Sequence, residues 1–310
     1  MNAFIKNLFL FKITPLLFIF LVITCSSDDK ESEEKQTLNQ IEIPTKEPYL
    51  IGEELTLIWS DEFDYEGSPN IDKWHHQTIP PNNGSWWNDE LQHYTDRLEN
   101  SYVDNGTLKI KALKEQYEID GSSKSYTSAR LNSKFSFRYG RIDVRAKLPK
   151  GAGTWPAIWT LGANINEVGN YFGNQFGNVG WPACGEIDIM EQTGWDKNSI
   201  GGHFHWADNS GNYQNKGEKT DIENSSDEFH TYSLIWDSAK ISILLDDQTF
   251  FSISNTSNNP FDNDHYLLIN IAIGGNLGGD VPSNFSEEIM EIDYIRICLL
   301  YTSPSPRDGL

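Results

Sequence analysis

Residues 134–148 (KFSFRYGRIDVRAKL) and 232–254 (YSLIWDSAKISILLDDQTFFSIS) alternate apolar with polar side chains. Only an extended strand sorts such a pattern into one buried and one exposed face, because successive side chains leave a strand on opposite sides. In the second segment Asp246 and Asp247 interrupt the pattern, where a hairpin turn is expected. Residues 266–275 (YLLINIAIGG) are apolar at nearly every position, which predicts a strand buried on both faces. No long stretch carries a convincing helical period. The fold class that satisfies these patterns is all-β: two antiparallel sheets stacked as a sandwich, in one domain. The roughly 240 residues available are enough for that, and the sequence has no internal repeat.

Against this background GEIDIMEQTG is the unusual strand, because Glu186, Asp188 and Glu191 place three carboxylates within six residues. Strict alternation puts Glu186, Asp188 and Met190 on one face and Glu191 on the other. A β-bulge after Asp188 re-aims the later residues by half a period and brings Glu191 round to join the other two. Like charges at that spacing repel, so a solvated strand face gains nothing from them. Acid-base chemistry or oxygen ligation of calcium does. Trp155, Trp159 and Trp181 precede the strand, and Trp195 and His205 lie beyond it. Indole rings are flat, apolar and carry a polar N–H at one edge, which suits the C–H faces of pyranose rings. Carboxylates among indoles point to a sugar cleft.

The ordered blocks WSDEFD (59–64), WWNDELQHYT (86–95), YTSARLNSKFSFRYGRIDVRAKLPKGAGTWPAIWTLG (126–162), WPACGEIDIMEQ (181–192) and FDNDHYLLINIAIGGNLGG (261–279) resemble glycoside hydrolase family 16. The bulged ExDxxE signature is similar to that of its laminarinase (endo-β-1,3-glucanase) branch. The resemblance implies a concanavalin-like β-jelly roll with an open concave cleft and retaining endo-hydrolysis of β-1,3-glucan. Mixed-linkage β-1,3-1,4-glucan is an expected side substrate, and an agarase-like galactan hydrolase or a non-catalytic surface glycan-binding lipoprotein are the alternatives. It makes Glu186 the nucleophile, Glu191 the general acid/base and Asp188 their helper, with Glu191 titrating above the ordinary carboxylate range so that it keeps its proton. It further implies sugar contacts from Trp155, Trp159, Asn88, Glu90, Arg130, Trp181 and His205, with Trp206 a weaker candidate. On the residues alone, Trp155 and Trp159 can equally be core, Glu90 and Arg130 an ordinary ion-paired surface, and His205 a packed histidine. No cofactor is needed for catalysis. A structural calcium held by the backbone of Glu62 and Gly106 and the carboxylate of Asp293, far from the cleft, is also implied by the resemblance. The Gly/Asn/aromatic-rich segment 164–180 is expected to be a mobile wall of the cleft.

Residues 1–24 place two lysines ahead of an apolar run that ends at Cys25, a signal-peptide pattern. LVITC with SSDDKESEEK after it resembles a lipoprotein signal, with Cys25 the lipidated residue of an outer-membrane, surface-exposed protein; plain secretion is the alternative. Residues 25–46 are too polar to pack and read as a linker. The hydrolase domain is then 47–297. Residues 298–310 (CLLYTSPSPRDGL) resemble a translated sequencing adapter and are read as a non-native tail. With Cys25 lipidated and Cys298 in that tail, Cys184 has no disulfide partner, and its expected role is that of a small buried hydrophobe. The net charge of −21 argues against nucleic acid as a partner and favours a neutral polysaccharide over a sulfated one. A monomer is expected. Asn105-Gly106 reads as a turn.

Overall fold

A computed structural model describes residues 55–300; the signal, Cys25, the linker and residues 301–310 lie outside the described residues. In chain order the first strands are β1 Leu55–Asp61, β2 Trp74–His76, β3 Gln92–Tyr94, β4 Ser101–Asp104, β5 Thr107–Ile119 and β6 Ser122–Ser128. Next come β7 Arg130–Phe137, β8 Gly140–Lys147, β9 Thr154–Gly162, the single helical turn α1 Gly173–Phe176, β10 Glu186–Glu191, β11 Ser199–Ala207 and β12 Tyr213–Asp221. The last are β13 His230–Trp236, β14 Lys240–Leu245, β15 Gln248–Ser254, β16 His265–Ile273, the turn α2 Gly275–Gly278 and β17 Glu287–Leu300.

These strands form two sheets. One runs β12-β11-β10-β9-β16-β7-β2; the other runs β15-β14-β13-β8-β17-β5-β6-β3, with β1 added beside β17 and β4 beside β5. All pairs are antiparallel except β3 with β6, which is parallel, a local departure from the expected all-antiparallel pattern. The segment 134–148 is not one hairpin within a sheet: β7 belongs to the first sheet and β8 to the second, and left-handed Tyr139 (φ 63°) and Gly140 (φ 143°) lie where the chain crosses over. The Asp246-Asp247 turn joins β14 to β15 as expected, both residues in the left-handed region that this tight hairpin requires. Asn105 and Gly106 do the same between β4 and β5.

The core lies between the sheets. Ile142, Val144 and Ala146 of β8, Ile292, Ile295 and Ile297 of β17, and Leu234 and Trp236 of β13 pack with Leu267, Ile269, Ile271 and Ile273 of β16 and with Ile187, Ile189 and Met190 of β10. All nine residues of β16 are buried, as its apolar run predicts. Its odd-numbered side chains enter this core, while Tyr266 and Leu268 join a smaller cluster with Leu161, Ile165, Phe172 and Cys184. That cluster sits under residues 163–180 and gives this wall of the cleft a packed base of its own.

β17 carries its ladder past Ile297, with Cys298 opposite Leu57 and Leu300 opposite Leu55. Among the described residues the ladder of β17 thus runs past Ile297 to Leu300, because the backbone of β1 offers partners for three more residues.

Candidate active site

The bulge in β10 is present. Glu186 and Asp188 pair with His205 and His203 of β11, and the register then shifts so that Glu191 pairs with Gly201. Ile189 and Met190 are consecutive and both face the core, the extra residue that turns Glu191 back to the cleft. Across the sheet the pairing forms rows: Gly201, Glu191, Ala157, Asn270 and Arg130 make one, and His203, Asp188, Trp159 and Leu268 the next. The small Ala157 beside Glu191 leaves room above the carboxyl.

Each outer carboxylate is held by an indole. Trp155 Nε1 donates to Glu191 Oε1 at 2.8 Å, and Trp181 Nε1 donates to Glu186 Oε2 at 3.2 Å. His205 Nε2 stands 3.2 Å from Asp188 Oδ2, and His203 Nδ1 stands 3.2 Å from Glu191 Oε2. The other ring nitrogen of His205 pairs with the Tyr213 hydroxyl at 2.7 Å. Asp188 is buried and lies within 4.8 Å of a carboxylate oxygen of each of its two acidic neighbours. Burial first, then the charge of Asp188, pushes the Glu186 carboxyl well above the usual carboxylate range, with Glu191 adding to the shift and His205 and Arg130 opposing it. Burial and then Glu191 push Asp188 up in the same sense, and His203 opposes. His203 is raised in turn by its contact with Glu191.

The carboxylates sit at the junction of two connected hollows. One, of about 350 Å³, lies over β11 and β12 and is lined by Trp181, Trp195, His203, His205, Tyr213 and Lys219. The other, of about 470 Å³, lies over β9 and β16 and is lined by Trp87, Glu90, Arg130, Trp159, Glu167 and Asn270. Asn88 and Trp155 border both. In the larger hollow a chain of hydrogen bonds runs from Trp159 Nε1 to Asn270 Oδ1 (2.8 Å), from Asn270 Nδ2 to the Tyr94 hydroxyl (3.0 Å) and from that hydroxyl to Glu90 Oε2 (3.0 Å). Gln92 also donates to Glu90 Oε2, at 2.6 Å. The Arg130 guanidinium lies 4.8 Å from the Trp159 ring centre and donates to Glu167 Oε2 at 3.4 Å. Glu90 and Arg130 are buried, so they are not an ordinary ion-paired surface. Asn88 and Asp89 hold left-handed backbone (φ 58° and 59°), uncommon for residues other than glycine. The Asn88 carbonyl accepts from the Asn276 N–H at 3.0 Å, which ties that loop to the end of β16.

The structure thus brings Glu186, Asp188, Glu191, Trp155, Trp159, Trp181, Asn88, Glu90, Arg130 and His205 to one cleft. It does not bring Trp206: next to His205 on a regular strand it faces the opposite way, into the core, against Phe261. Cys184 is buried in the smaller apolar cluster. Trp155 is only 8% exposed, whereas Trp87 (47%), Trp181 (51%) and Trp195 (61%) present open indole faces. His203, Asn270, Tyr213 and Glu167 are additions. His203 shares the parity of His205, and Asn270 is the polar interruption of an apolar strand, so both carried a signal in the sequence. Glu167 lies in a loop without periodicity and carried none.

The residues expected to hold calcium lie on the second sheet, away from the cleft. β17 pairs with β5 up to Ile292 and with β1 from Ile295, so Glu62 after β1, Gly106 before β5 and Asp293 converge at the junction. Two carbonyls and a carboxylate are the hard oxygen set calcium takes. Asp293 Oδ2 accepts from Arg145 at 2.6 Å, and the Glu62 carboxylate is gripped by Arg296 at 2.8 and 2.9 Å. A cation bound there would compete with Arg145 for Asp293.

A concave antiparallel sheet with exposed indoles and two carboxyls facing one another across a bulge is the site of a glycoside hydrolase. Comparison with known proteins supplies the rest. The model of "Glycosyl hydrolases family 16" matches residues 88–296, and the chain belongs to that family. A crystal structure of LamA from Z. galactanivorans in complex with laminaritriose and laminaritetraose is 62% identical with a TM-score of 0.78, over 78% of this chain and 98% of that one. The beta-glucanase of Rhodothermus marinus is 37% identical over 257 residues, 78% of this chain and 84% of that protein. The laminarinase catalytic domain of Thermotoga maritima is 35% identical with a TM-score of 0.69, over 80% of this chain and all (100%) of that one.

Proposed function

We propose that the protein is a retaining endo-β-1,3-glucanase that cuts laminarin-type glucan, with mixed-linkage β-1,3-1,4-glucan as a secondary substrate. The observation that carries this reading is the pair of carboxyls on either side of Asp188, each oriented by an indole N–H, at the centre of a cleft that continues on both sides. Glu186 attacks the anomeric carbon while the proton on Glu191 passes to the glycosidic oxygen, so the C–O bond breaks as the glycosyl-enzyme ester forms. Water then adds to that carbon, giving its proton back to Glu191 and releasing Glu186. Asp188, braced by His205, keeps the charge on Glu186 in check between the two steps. A cleft continuing on both sides of the cutting point suits internal cleavage of a long chain.

Product profiling on laminarin, mixed-linkage glucan and agarose tests the reading, with Glu186→Gln as control. The expected result is rapid release of short oligosaccharides from laminarin by the wild type alone, with Glu186→Gln still binding the glucan. Cleavage of agarose instead makes the protein a galactan hydrolase, and binding without cleavage of any of the three makes it a glycan-binding protein. From the sequence we further infer a monomer exported and tethered to the outer membrane through lipid on Cys25; loss of palmitate labelling in Cys25→Ser tests the tether. A structural calcium at Glu62, Gly106 and Asp293 belongs to the same proposal.

A further inference from the structure

His203 stands against the acid/base carboxyl, and the two-step displacement gives it no task. Three features of its placement bear on that. Glu191 Oε1 is already taken as an acceptor by the Trp155 indole N–H at 2.8 Å. An indole N–H neither takes up nor releases a proton at ordinary pH, so Oε2 is the oxygen left to carry the exchangeable proton of Glu191; it lies 3.2 Å from His203 Nδ1, a buried nitrogen that makes no hydrogen bond of regular geometry in this arrangement. The second feature is the slot that holds the ring. A Cβ built on Gly217 falls 2.0 Å from His203 Cδ2, and one on Gly201 falls 2.6 Å from its Cε1, so both glycines give up a side chain to seat the imidazole. The third is its reach: the side chain is 30% exposed while that of Glu191 is 12% exposed, so the ring spans from solvent to the more buried carboxyl.

We propose that His203 and Glu191 share one exchangeable proton, and that His203 is the positioning partner through which the acid is kept loaded. The proposal rests on the assignment of Glu191 as acid/base. The pair holds its proton in one of two arrangements, Oε2–H facing Nδ1 or carboxylate facing N–H of imidazolium. A bound sugar excludes water, which disfavours the separated charges, so the proton moves onto Oε2 as the glycosidic oxygen arrives there. After the proton has gone to the leaving oxygen and water has restored it, the pair is again singly protonated, and atoms and charge balance over the cycle. The charged groups facing His203 are Glu191 and Asp188 of β10, His205 of its own strand and, two residues beyond Gly217 on β12, Lys219. The carboxylates raise the imidazole above its ordinary value. The last proton therefore leaves the wild-type pair at higher pH than it leaves a carboxyl alone.

The test is the pH dependence of kcat/KM for His203→Asn, which keeps a hydrogen-bonding group beside Oε2 but cannot carry the proton. Two substrates are compared: laminarin, whose leaving sugar needs protonation, and a 2,4-dinitrophenyl β-laminaribioside, whose leaving group does not. On laminarin the basic limb is expected to move to lower pH, with activity at pH 7.5 down by about tenfold or more and recovering toward pH 5. On the aryl substrate little change is expected. Gly217→Ala, which displaces the ring from an exposed edge strand, is expected to act in the same direction and guards against a folding defect in the first variant. A basic limb that does not move, or equal losses on both substrates, overturns the proposal. Failure of the wild type to cut laminarin at all overturns instead the function on which it rests.

Discussion

At the scale of single residues, the site stores repulsion. Glu186 and Asp188 are both pushed above the usual carboxylate range by burial and by neighbouring anions. A carboxyl with a higher pKa folded than unfolded penalises the folded state at pH above its unfolded value, and the penalty vanishes below it. Glu186→Gln is therefore expected to raise Tm at pH 7, by roughly 2–4 °C for each kcal/mol of repulsion relieved, and to leave Tm unchanged near pH 3.5. Thermal melts of wild type and variant across that range check the sign. An equal effect at both pH values would assign the change to packing. The residues that carry the chemistry were the most legible in the sequence, because parity plus one bulge fixes which way Glu186, Asp188 and Glu191 point. Trp206 shows the same rule from the other side: its parity relative to His205 already placed it in the core.

At the scale of elements, the wall formed by residues 163–180 is less free than its composition suggested. Phe172 and Ile165 pack beneath it with Tyr266 and Leu268, and Glu167 ties it across the larger hollow. That carboxylate accepts from Trp87 Nε1 at 3.0 Å, from Gln77 Nε2 at 3.1 Å and from Arg130 at 3.4 Å. Glu167→Ala is expected to leave the buried Arg130 without its ion partner, to raise KM severalfold with a smaller change in kcat, and to expose the segment to limited proteolysis. Unchanged protease resistance would mean that the apolar base alone holds the wall. None of this was legible beforehand, since loop residues carry no period, and the partners of Glu167 come from segments 37 to 90 residues away in sequence. The strands were legible where alternation or a continuous apolar run was strong, as in β13, β14 and β16. The sheet change between β7 and β8 was not, because strands in either sheet show the same alternation.

At the scale of the whole molecule, the sandwich keeps its chemistry on one sheet and its seam on the other. The expected calcium corner lies on the seam sheet, where β1 and β5 meet along β17. If a cation binds there, chelation should lower Tm by several degrees and leave the kcat of the folded enzyme unchanged; a melt in EDTA against one in excess Ca²⁺ decides it. No change would leave Asp293 as simply the partner of Arg145. That this sheet is continuous up to Leu300 was hidden in the sequence, since the residues after Ile297 resemble nothing evolved with the domain, yet a strand ladder needs only backbone.

The pairing of Leu55 with Leu300 makes the first and last described residues neighbours on the sheet that does not hold the cleft. Two stacked sheets lie about 10 Å apart. Joining Leu55 to Leu300 by a short linker would therefore let the described domain be reopened at a distant hairpin, such as Asp246-Asp247, to give a circular permutant with the same cleft.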